Sequence, residues 1–448
     1  MQKTPLELWV RSRIGKELSG NVLSLSDLAR YQLEKLKETI DYARINSPFY
    51  RELLVGFPSN RLQRLEDLSQ LPLSRAQDVL SSGPQLLCVS QSKIARVVTI
   101  QSSGTTAPPK RLYFTEEDLD RTIDFFHYGM STFVNPGQKV LILMPGETPG
   151  SVGDLLVKAL KRMNATGIVH GPIQDPGQVI NEIIRHEIDC LVGIPVQVLS
   201  VARHPDVSAI PAERIKSVLL STDFLPRVIA HELENLWGCA VFDHYGASEM
   251  GLGGAVECQA RSGYHLREAD LYFEIVDPET GEPRSVGELG EVVFTTLTRK
   301  GMPLIRYRTG DFARFLDEPC PCGTVLKRME RVRGRLSERV LLRSGDWLSV
   351  TDLDESLFGI PGLVNYDAVV RNENDKDRLE LSLYADPVHE QSISNAVQQA
   401  LAQVATLRAA LVEGRLILGP ITFMSGTWST TGVAKRKITY QVTREEPA

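Results

Sequence analysis

The sequence predicts an α/β fold: a large N-terminal domain with a mainly parallel sheet plus a β-rich subdomain, and a small α+β C-terminal lid domain. Three observations carry that expectation. Between about residues 95 and 245, short β-branched runs alternate with helical patterns, as parallel strands joined by crossover helices require. From 270 to 315 the pattern becomes alternating and is cut by the turns Pro278-Glu-Thr-Gly281 and Gly287-Glu-Leu-Gly290, which suit antiparallel hairpins. Beyond Gly334-Arg335 the order is strand, helix, strand, strand, helix, strand, on a segment of about 110 residues, close to the commonest domain size. The expected domains are therefore 1–334 and 335–448.

Taken in order, residues 26–46 place Leu28, Tyr31, Leu33, Leu36, Ile40 and Ala43 at helical spacing behind a Ser26-Asp27 cap signal. Pro48 disfavours helix at the residue before it, so this helix should stop at Asn46-Ser47. Strands are expected at Val97–Ile100, Lys139–Met144, Gly167–His170, Asp189–Gly193, Val218–Ser221 and Ala240–Phe242, with helices such as Gly150–Arg162 and Pro226–Leu236 between them. The C-terminal domain should carry strands at Val340–Leu342, Tyr366–Arg371, Arg378–Tyr384 and Ile421–Met424, and helices at Asp352–Phe358 and Glu390–Val404.

Composition narrows the function. The 448 residues are 42% hydrophobic and 24% charged, the make-up of an ordinary soluble protein too long for one growing core. A net charge of −6 argues against nucleic acid or an anionic membrane as the main partner. A small anionic ligand needs only local positive charge and stays compatible. No apolar run reaches about 18 residues, and Met-Gln-Lys-Thr-Pro-Leu-Glu-Leu-Trp lacks the apolar core of a signal peptide. Six cysteines in so long a chain do not make a disulfide scaffold. A cytoplasmic location is expected.

Three segments carry chemistry. Ser102-Ser103-Gly104-Thr105-Thr106-Ala-Pro-Pro-Lys110 follows a strand and precedes the helix cap Thr115-Glu-Glu-Asp. Its hydroxyls and glycine-loosened backbone can bind phosphate oxygens, and Lys110 adds a point charge. It lacks the Gly-x4-Gly-Lys-Ser/Thr order of P-loop NTPases, and a plain Ser/Thr/Gly connecting loop is the alternative. Tyr245-Gly246-Ala-Ser248-Glu249 follows a strand, where α/β sheets place ligands. Tyr245 can stack on a base and Glu249 can hold Mg²⁺ bridged to phosphate; a solvated carboxylate beside a core tyrosine is the plainer alternative. Arg306-Tyr-Arg308-Thr-Gly-Asp311 ends a β-rich run. Asp311 can accept both hydroxyls of a ribose, with Arg308 available to phosphate.

Cys258-x6-His265 and Cys320-x-Cys322 offer three thiols and one imidazole, a complete tetrahedral set for structural Zn²⁺. The alternative is a buried Cys258 and reduced thiols in a Pro-Cys-Pro-Cys-Gly turn. Cys88, Cys190 and Cys239 lie in apolar runs and read as core. His244 could face an acyl pocket, and Phe125, Phe126, His127 and Tyr128 could line a cavity, but packed positions account for all five.

Together, Ser-Ser-Gly-Thr-Thr, Tyr-Gly-x-Ser-Glu and Tyr-Arg-Thr-Gly-Asp resemble the motifs of the adenylate-forming enzymes, a superfamily of acyl-CoA synthetases, adenylation domains and luciferases. Glu257-Cys258, Gly263-x-His265, the run from Gly290 to Tyr307 and Cys320-Pro-Cys322-Gly323 before Gly334-Arg335 resemble phenylacetate–CoA ligases in particular. The resemblance covers most of the chain. It implies that a carboxylic acid, here an aryl or small organic acid, attacks ATP to give acyl-AMP, and that coenzyme A then takes the acyl group after the C-terminal domain rotates. It further implies that Ser102–Thr106 cradle the outer phosphates, Glu249 meets Mg²⁺, and Asp311 and Arg335 hold the ribose. Ser221, Asp223 and Asp243–Tyr245 would line the adenine. A homodimer is compatible with it.

The chain departs from the family at one telling place. The family carries Gly-Lys-x-x-Arg near its C-terminus, whose lysine binds the carboxylate and the α-phosphate. Here the segment is Thr431-Gly-Val433-Ala-Lys435-Arg436-Lys437, which sets Val433 where lysine belongs. Loss of such a charge-stabilising contact can slow a reaction by about 10²–10³. Lys435 or Lys437 are the basic groups left to substitute. Ala107 in place of glycine, and Leu336-Ser337-Glu338 in place of acidic hinge residues, are lesser departures. Two other expectations follow: transfer to an amine or a carrier-protein thiol instead of coenzyme A, or a catalytically impaired nucleotide- or acyl-AMP-binding protein.

Overall fold

The computed structural model describes residues 2–15, 22–100, 109–335, 339–373, 376–385, 390–424 and 436–442. The chain divides into two compact units: Met1–Gln138 with Pro145–Val169 and Phe242–Val332, and Lys139–Met144 with His170–Val241 and Arg333–Ala448.

In the first unit, a helix spans Leu25–Asn46, started by a capping box in which Ser24 and Asp27 exchange hydrogen bonds. The cap is thus Ser24 rather than Ser26, because only Ser24 stands three residues before a carboxylate able to bond back. Pro48 starts a new helix at once, Pro48–Leu53. The long helix buries Leu36, Ile40 and Ala43. Its polar edge is fixed to distant backbone: Tyr31 Oη donates to Ala269 O at 2.9 Å and Thr39 Oγ1 to Leu297 O at 2.9 Å.

The β-rich part holds a three-stranded antiparallel sheet of Leu271–Val276, Gly290–Thr296 and Tyr307–Ala313. Its first turn is tied by Asp277, whose carboxylate accepts from Glu279 N and Thr280 N at 2.8 and 2.9 Å. A second antiparallel run links Ala240–Tyr245, Ala255–Glu257, Tyr264–Leu266 and Arg328–Met329, with His244 opposite Val256, Val256 opposite His265 and His265 opposite Arg328.

Arg96–Ile100 corrects one expectation, since it does not enter a parallel sheet. It pairs antiparallel with Lys110–Phe114, Ile100 opposite Lys110. Its residues alternate between half-buried and exposed, whereas a strand inside a parallel sheet is covered on both faces.

In the second unit, Lys139–Ile142, Cys190–Gly193 and Ser217–Leu220 are parallel neighbours in that order, and the last two are wholly buried. Helix Pro176–His186 precedes the second of these strands, Pro195–Ala202 lies between the second and third, and Arg227–Trp237 follows the third. Past Arg333, a hairpin of Arg339–Leu341 and Trp347–Ser349 leads into helix Val350–Leu357. A four-stranded sheet follows, in the order Leu416–Phe423, Lys376–Ala385, Leu363–Glu373, Ile438–Val442. Helices Glu390–Gln403 and Ala405–Val412 complete it. Among the described residues no helix is long and apolar enough to cross a membrane.

One buried ion pair ties Arg436 to helix Val350–Leu357. Arg436 Nη1 lies 2.7 Å from Asp354 Oδ1, and the guanidinium sits 4.7 and 4.4 Å from the Phe358 and Tyr366 rings. Burial pushes the Asp354 carboxyl up to about 6, and Arg436 opposes that rise. Arg436→Gln strips the buried carboxylate of its guanidinium and should lower stability by about 3–5 kcal/mol, read as the urea midpoint. Arg436→Gln combined with Asp354→Asn should recover most of the loss, since no buried charge is then left unpaired.

Candidate active site

The strand Ala240–Tyr245 ends in a backbone that only small residues can follow. A side chain at Gly246 would meet Leu252 O at 2.6 Å, and one at Gly253 would meet the Phe125 ring at 2.5 Å. Between them Ser248–Met250 forms one 3-10 turn, closed by Gly251 at φ 75°. This turn holds up Glu249. Its carboxylate forms an ion pair with Lys110 Nζ and accepts the Tyr307 hydroxyl on Oε1 at 3.2 Å. Lys110 is the first residue of its strand, so the hydroxyl-rich segment ends against Glu249.

The loop is fixed from behind by side chains reaching its carbonyls. Arg299 Nη1 donates to Glu249 O at 2.6 Å, and Thr122 Oγ1 donates to Gly251 O at 2.9 Å. Arg267 Nη1 spans Met250 O and Gly253 O at 3.4 and 3.3 Å. Arg267 is in turn paired with Asp270 at 2.8 Å. Arg299 lies 5.1 Å from the Phe114 ring, and burial lowers its guanidinium to about 10. Asp118 accepts from Lys300 N and Gly301 N at 2.8 and 2.9 Å, holding the next turn of backbone. Asp118, Thr122, Arg267, Asp270 and Arg299 line a small cavity. Asp118 was legible in the sequence only as part of a helix cap, and the others did not stand out. The available signal was a set of charged residues next to apolar ones in the Leu266–Leu271 and Leu297–Met302 runs.

Asp311 sits where the strand Tyr307–Ala313 bulges. Val293 pairs with Arg308 and Glu291 with Phe312, so the strand carries extra residues, a device that re-aims side chains. Gly310 takes φ 74° in the bulge, and Thr309 Oγ1 donates to Val292 O at 2.7 Å. Asp311 Oδ2 accepts the Tyr245 hydroxyl at 2.7 Å. The three motifs of the sequence thus meet: Lys110 on Glu249, Tyr307 on Glu249, and Tyr245 on Asp311.

Other expected residues are engaged elsewhere. Arg308 is occupied by Glu291, Nε to Oε2 at 2.8 Å, and by Pro278 O at 2.6 Å. Asp243 is buried; its carboxylate accepts the Tyr264 hydroxyl at 2.7 Å and lies 3.6 Å from Arg331 Nε. Arg331 also grips both Glu257 oxygens at 3.0 Å. Burial raises the Asp243 carboxyl and pushes Glu257 up to about 7, while Arg331 opposes both shifts. Ser248 begins the turn that carries Glu249. Phe125 and Phe126 are core residues, and His127 stacks on Tyr128 at 4.7 Å. In the second unit, Ser221 N donates to Gly193 O at 3.0 Å and Asp223 caps Phe224 N at 3.0 Å. Arg335 is half-buried there. Ser102, Ser103, Gly104, Thr105, Thr106, Val433 and Lys435 lie outside the described residues.

Cys258, His265, Cys320 and Cys322 come together: all four are buried, and their ligand atoms lie within 4.8 Å of one another. Cys258 Sγ is 3.6 Å from Cys320 Sγ, and Cys322 Sγ is 3.5 Å from His265 Nε2. A tetrahedral zinc with bonds of about 2.3 Å to sulfur and about 2.0 Å to nitrogen has edges of about 3.8 and about 3.6 Å. Burial pushes the Cys258 thiol up to about 12. On Cys322 burial acts the same way and is again the largest influence, but the hydrogen bonds from His265 and from the Thr324 and Thr4 backbone together outweigh it and lower the thiol.

A model of the AMP-binding enzyme family matches residues 67–297, slightly more than half of the chain and the stretch holding Lys110, Tyr245 and Glu249. The chain belongs to the AMP-binding enzyme family. It is 30% identical over 365 residues to a phenylacetate–coenzyme A ligase of Thermus thermophilus, covering 80% of this chain and 81% of the relative. A phenylacetate–coenzyme A ligase of Aromatoleum evansii is 29% identical, with 81% and 83% covered. Among solved structures, a 2-hydroxyisobutyryl-CoA ligase in its postadenylation state superposes with a TM-score of 0.79 at 20% identity, covering 93% of this chain and 90% of that one.

In this AMP-binding enzyme, Arg299→Met should leave the Glu249 carbonyl buried without that donor. A loss of about 1–3 kcal/mol in stability is expected, together with weaker AMP binding, measured by urea unfolding and by calorimetric titration.

Proposed function

We propose that this protein is an ATP-dependent carboxylate–CoA ligase that works through an acyl-adenylate, with an aryl or small organic acid as substrate. The observation that carries the reading is the meeting of Lys110, Glu249, Tyr307, Tyr245 and Asp311 in a chain homologous over most of its length to phenylacetate–coenzyme A ligases. In the first half-reaction an acid oxygen attacks the α-phosphorus of ATP, the bond to pyrophosphate breaks, and acyl-AMP forms. In the second, the thiolate of coenzyme A attacks the acyl carbon and AMP leaves.

The residues act by holding and by charge, as befits phosphoryl chemistry. Asp311, steadied by Tyr245, would accept the ribose hydroxyls, with Arg335 as a second partner. Tyr245 would offer its ring to the adenine, bordered by Ser221, Asp223 and Asp243. Ser102–Thr106 and Lys110 would take the outer phosphates, and Lys435 is the basic group assigned to the reacting phosphate. Glu249 offers carboxylate oxygens on a rigid backbone, the donor type that Mg²⁺ prefers, and would hold that ion. When bound, Mg²⁺ neutralises charge on the phosphates. Residues 335–448 are proposed to move as the lid between the half-reactions. We also place the enzyme in the cytoplasm, and a homodimer is compatible with this reading.

Purified protein given ATP, Mg²⁺ and a panel of aryl and small aliphatic acids should release pyrophosphate only when its acid is present. No release with any acid would sink the ligase reading. Val433 supports a second reading, a protein that binds nucleotide but adenylates slowly. In that case Val433→Lys should raise acid-dependent pyrophosphate release by about 10²-fold, the usual worth of one charge-stabilising contact.

The Cys258, His265, Cys320 and Cys322 set fits structural zinc: four soft or borderline donors, with two measured edges close to tetrahedral. All four positions come from protein, so the ion would staple loops and leave none open for chemistry. Elemental analysis should find one zinc per chain. Stripping it at low pH with a chelator should lower the melting temperature, and a metal-free preparation of unchanged stability would count against the site.

A further inference from the structure

The Lys110–Glu249 pair has a feature that neither the family likeness nor the ligase reading accounts for. The ammonium lies on the very carboxylate that is assigned to Mg²⁺. Both side chains are largely buried, 15% and 11% exposed, so the attraction is screened little by salt. The two ends of the pair differ in freedom. Glu249 is pinned by the Arg299 bond to its own carbonyl, by the closed turn Ser248–Met250 and by the Tyr307 hydroxyl. Lys110 is a compact charge on a four-carbon stem, able to change partner without moving its backbone. That backbone is fixed by pairing with Ile100 at the mouth of the hydroxyl-rich segment.

We propose that Lys110 is the resident counter-cation of Glu249 in the nucleotide-free enzyme, and that arriving ATP draws it onto phosphate oxygens, which opens the carboxylate to a divalent cation. This rests on the ligase reading and deepens it. A bare Glu249 would repel a tetra-anionic triphosphate and would also collect a divalent cation with no nucleotide present. With Lys110 on it the carboxylate is neutralised until phosphate competes for the ammonium. Cation binding thereby becomes conditional on nucleotide. The two cations act on one carboxylate, so their effects on ATP affinity are linked.

The test is calorimetric titration with ATP, without acid substrate, once with Mg²⁺ and once with EDTA. It compares the unaltered enzyme, Lys110→Met, and Lys110→Met with Glu249→Gln. Lys110→Met should weaken ATP binding about tenfold with Mg²⁺ but about 100-fold with EDTA, so the Mg²⁺ dependence grows about tenfold, within the usual range of site coupling. Adding Glu249→Gln should abolish that growth. Lys110→Gln serves the same comparison if the methionine variant does not fold. An equal loss in both media would overturn the proposal, because Lys110 would then be a phosphate ligand independent of Glu249. A Mg²⁺ dependence that stays enlarged in the double variant would do the same. An unaltered enzyme that binds no ATP in either medium defeats the ligase reading itself and this inference with it.

Discussion

Buried arginines bonded to backbone carbonyls are what the rest of this molecule depends on. A guanidinium keeps its charge under almost any condition and brings five donors in a fixed plane. Once buried it must find acceptors, and irregular loops have carbonyls to spare. Arg299 and Arg267 take those of Glu249, Met250 and Gly253. Arg306, itself at φ 46°, takes those of Ser69 and Leu71 at 2.7 and 2.6 Å and is neutralised by Glu274. A loop built of glycine and serine has little rigidity of its own. Here the stiffness comes from guanidiniums on other segments, and a carboxylate on such a loop becomes a fixed point.

That division of labour explains what could be read from the sequence. The motif residues announce themselves because their chemistry is local: hydroxyls beside glycine, a tyrosine and a carboxylate within one turn, an aspartate after Arg-Thr-Gly. The turns Pro278–Gly281 and Gly287–Gly290 likewise reveal the antiparallel pair Leu271–Val276 and Gly290–Thr296, since turn chemistry is a property of neighbours. Arg267, Arg299, Asp118 and Thr122 are different. Each acts on a backbone N–H or carbonyl of another segment, and a backbone group leaves no mark in the sequence. Arg308 shows the same limit from the other side: its place beside Asp311 suggested phosphate, but Glu291 on the paired strand reaches it first. Arg96–Ile100 looked like its parallel neighbours because β-branched residues favour any strand, and only its half-exposed faces tell it apart. The metal donors were legible by spacing, though their closeness was not, because it depends on strand Tyr264–Leu266 lying against Arg328–Met329.

The charge distribution follows from the same economy. A chain of net charge −6 makes no long-range field that would collect polyphosphates. Attraction must be supplied where the ligand lands, and in the proposed reading the flexible lysines Lys110 and Lys435 would supply it. Fixed cations serve the scaffold, and Arg267 and Arg331 are neutralised there by Asp270 and Glu257. Structural charge and ligand-seeking charge are thus kept on different side chains.

The C-terminal segment is attached in a manner suited to the motion proposed for it. Within the second unit, Arg203 donates to the carbonyls of Phe358 and Ile360 at 2.6 and 3.1 Å and to that of Leu363, while Glu232 steadies it. Arg227 N donates to both Glu355 oxygens at 3.0 and 3.1 Å. These are hydrogen bonds whose groups water can reach once parted, and exchanging a protein partner for water at a charged group costs about 1.5–3 kcal/mol per bond. The pair that fixes the inside of the segment, Arg436 with Asp354, is sealed by Phe358 and Tyr366 and has no such substitute. A segment held together by a sealed ion pair but docked through exchangeable bonds keeps its own shape when its docking changes. A lid must do this if the residues it carries are to reach the nucleotide in one arrangement and withdraw from it in another.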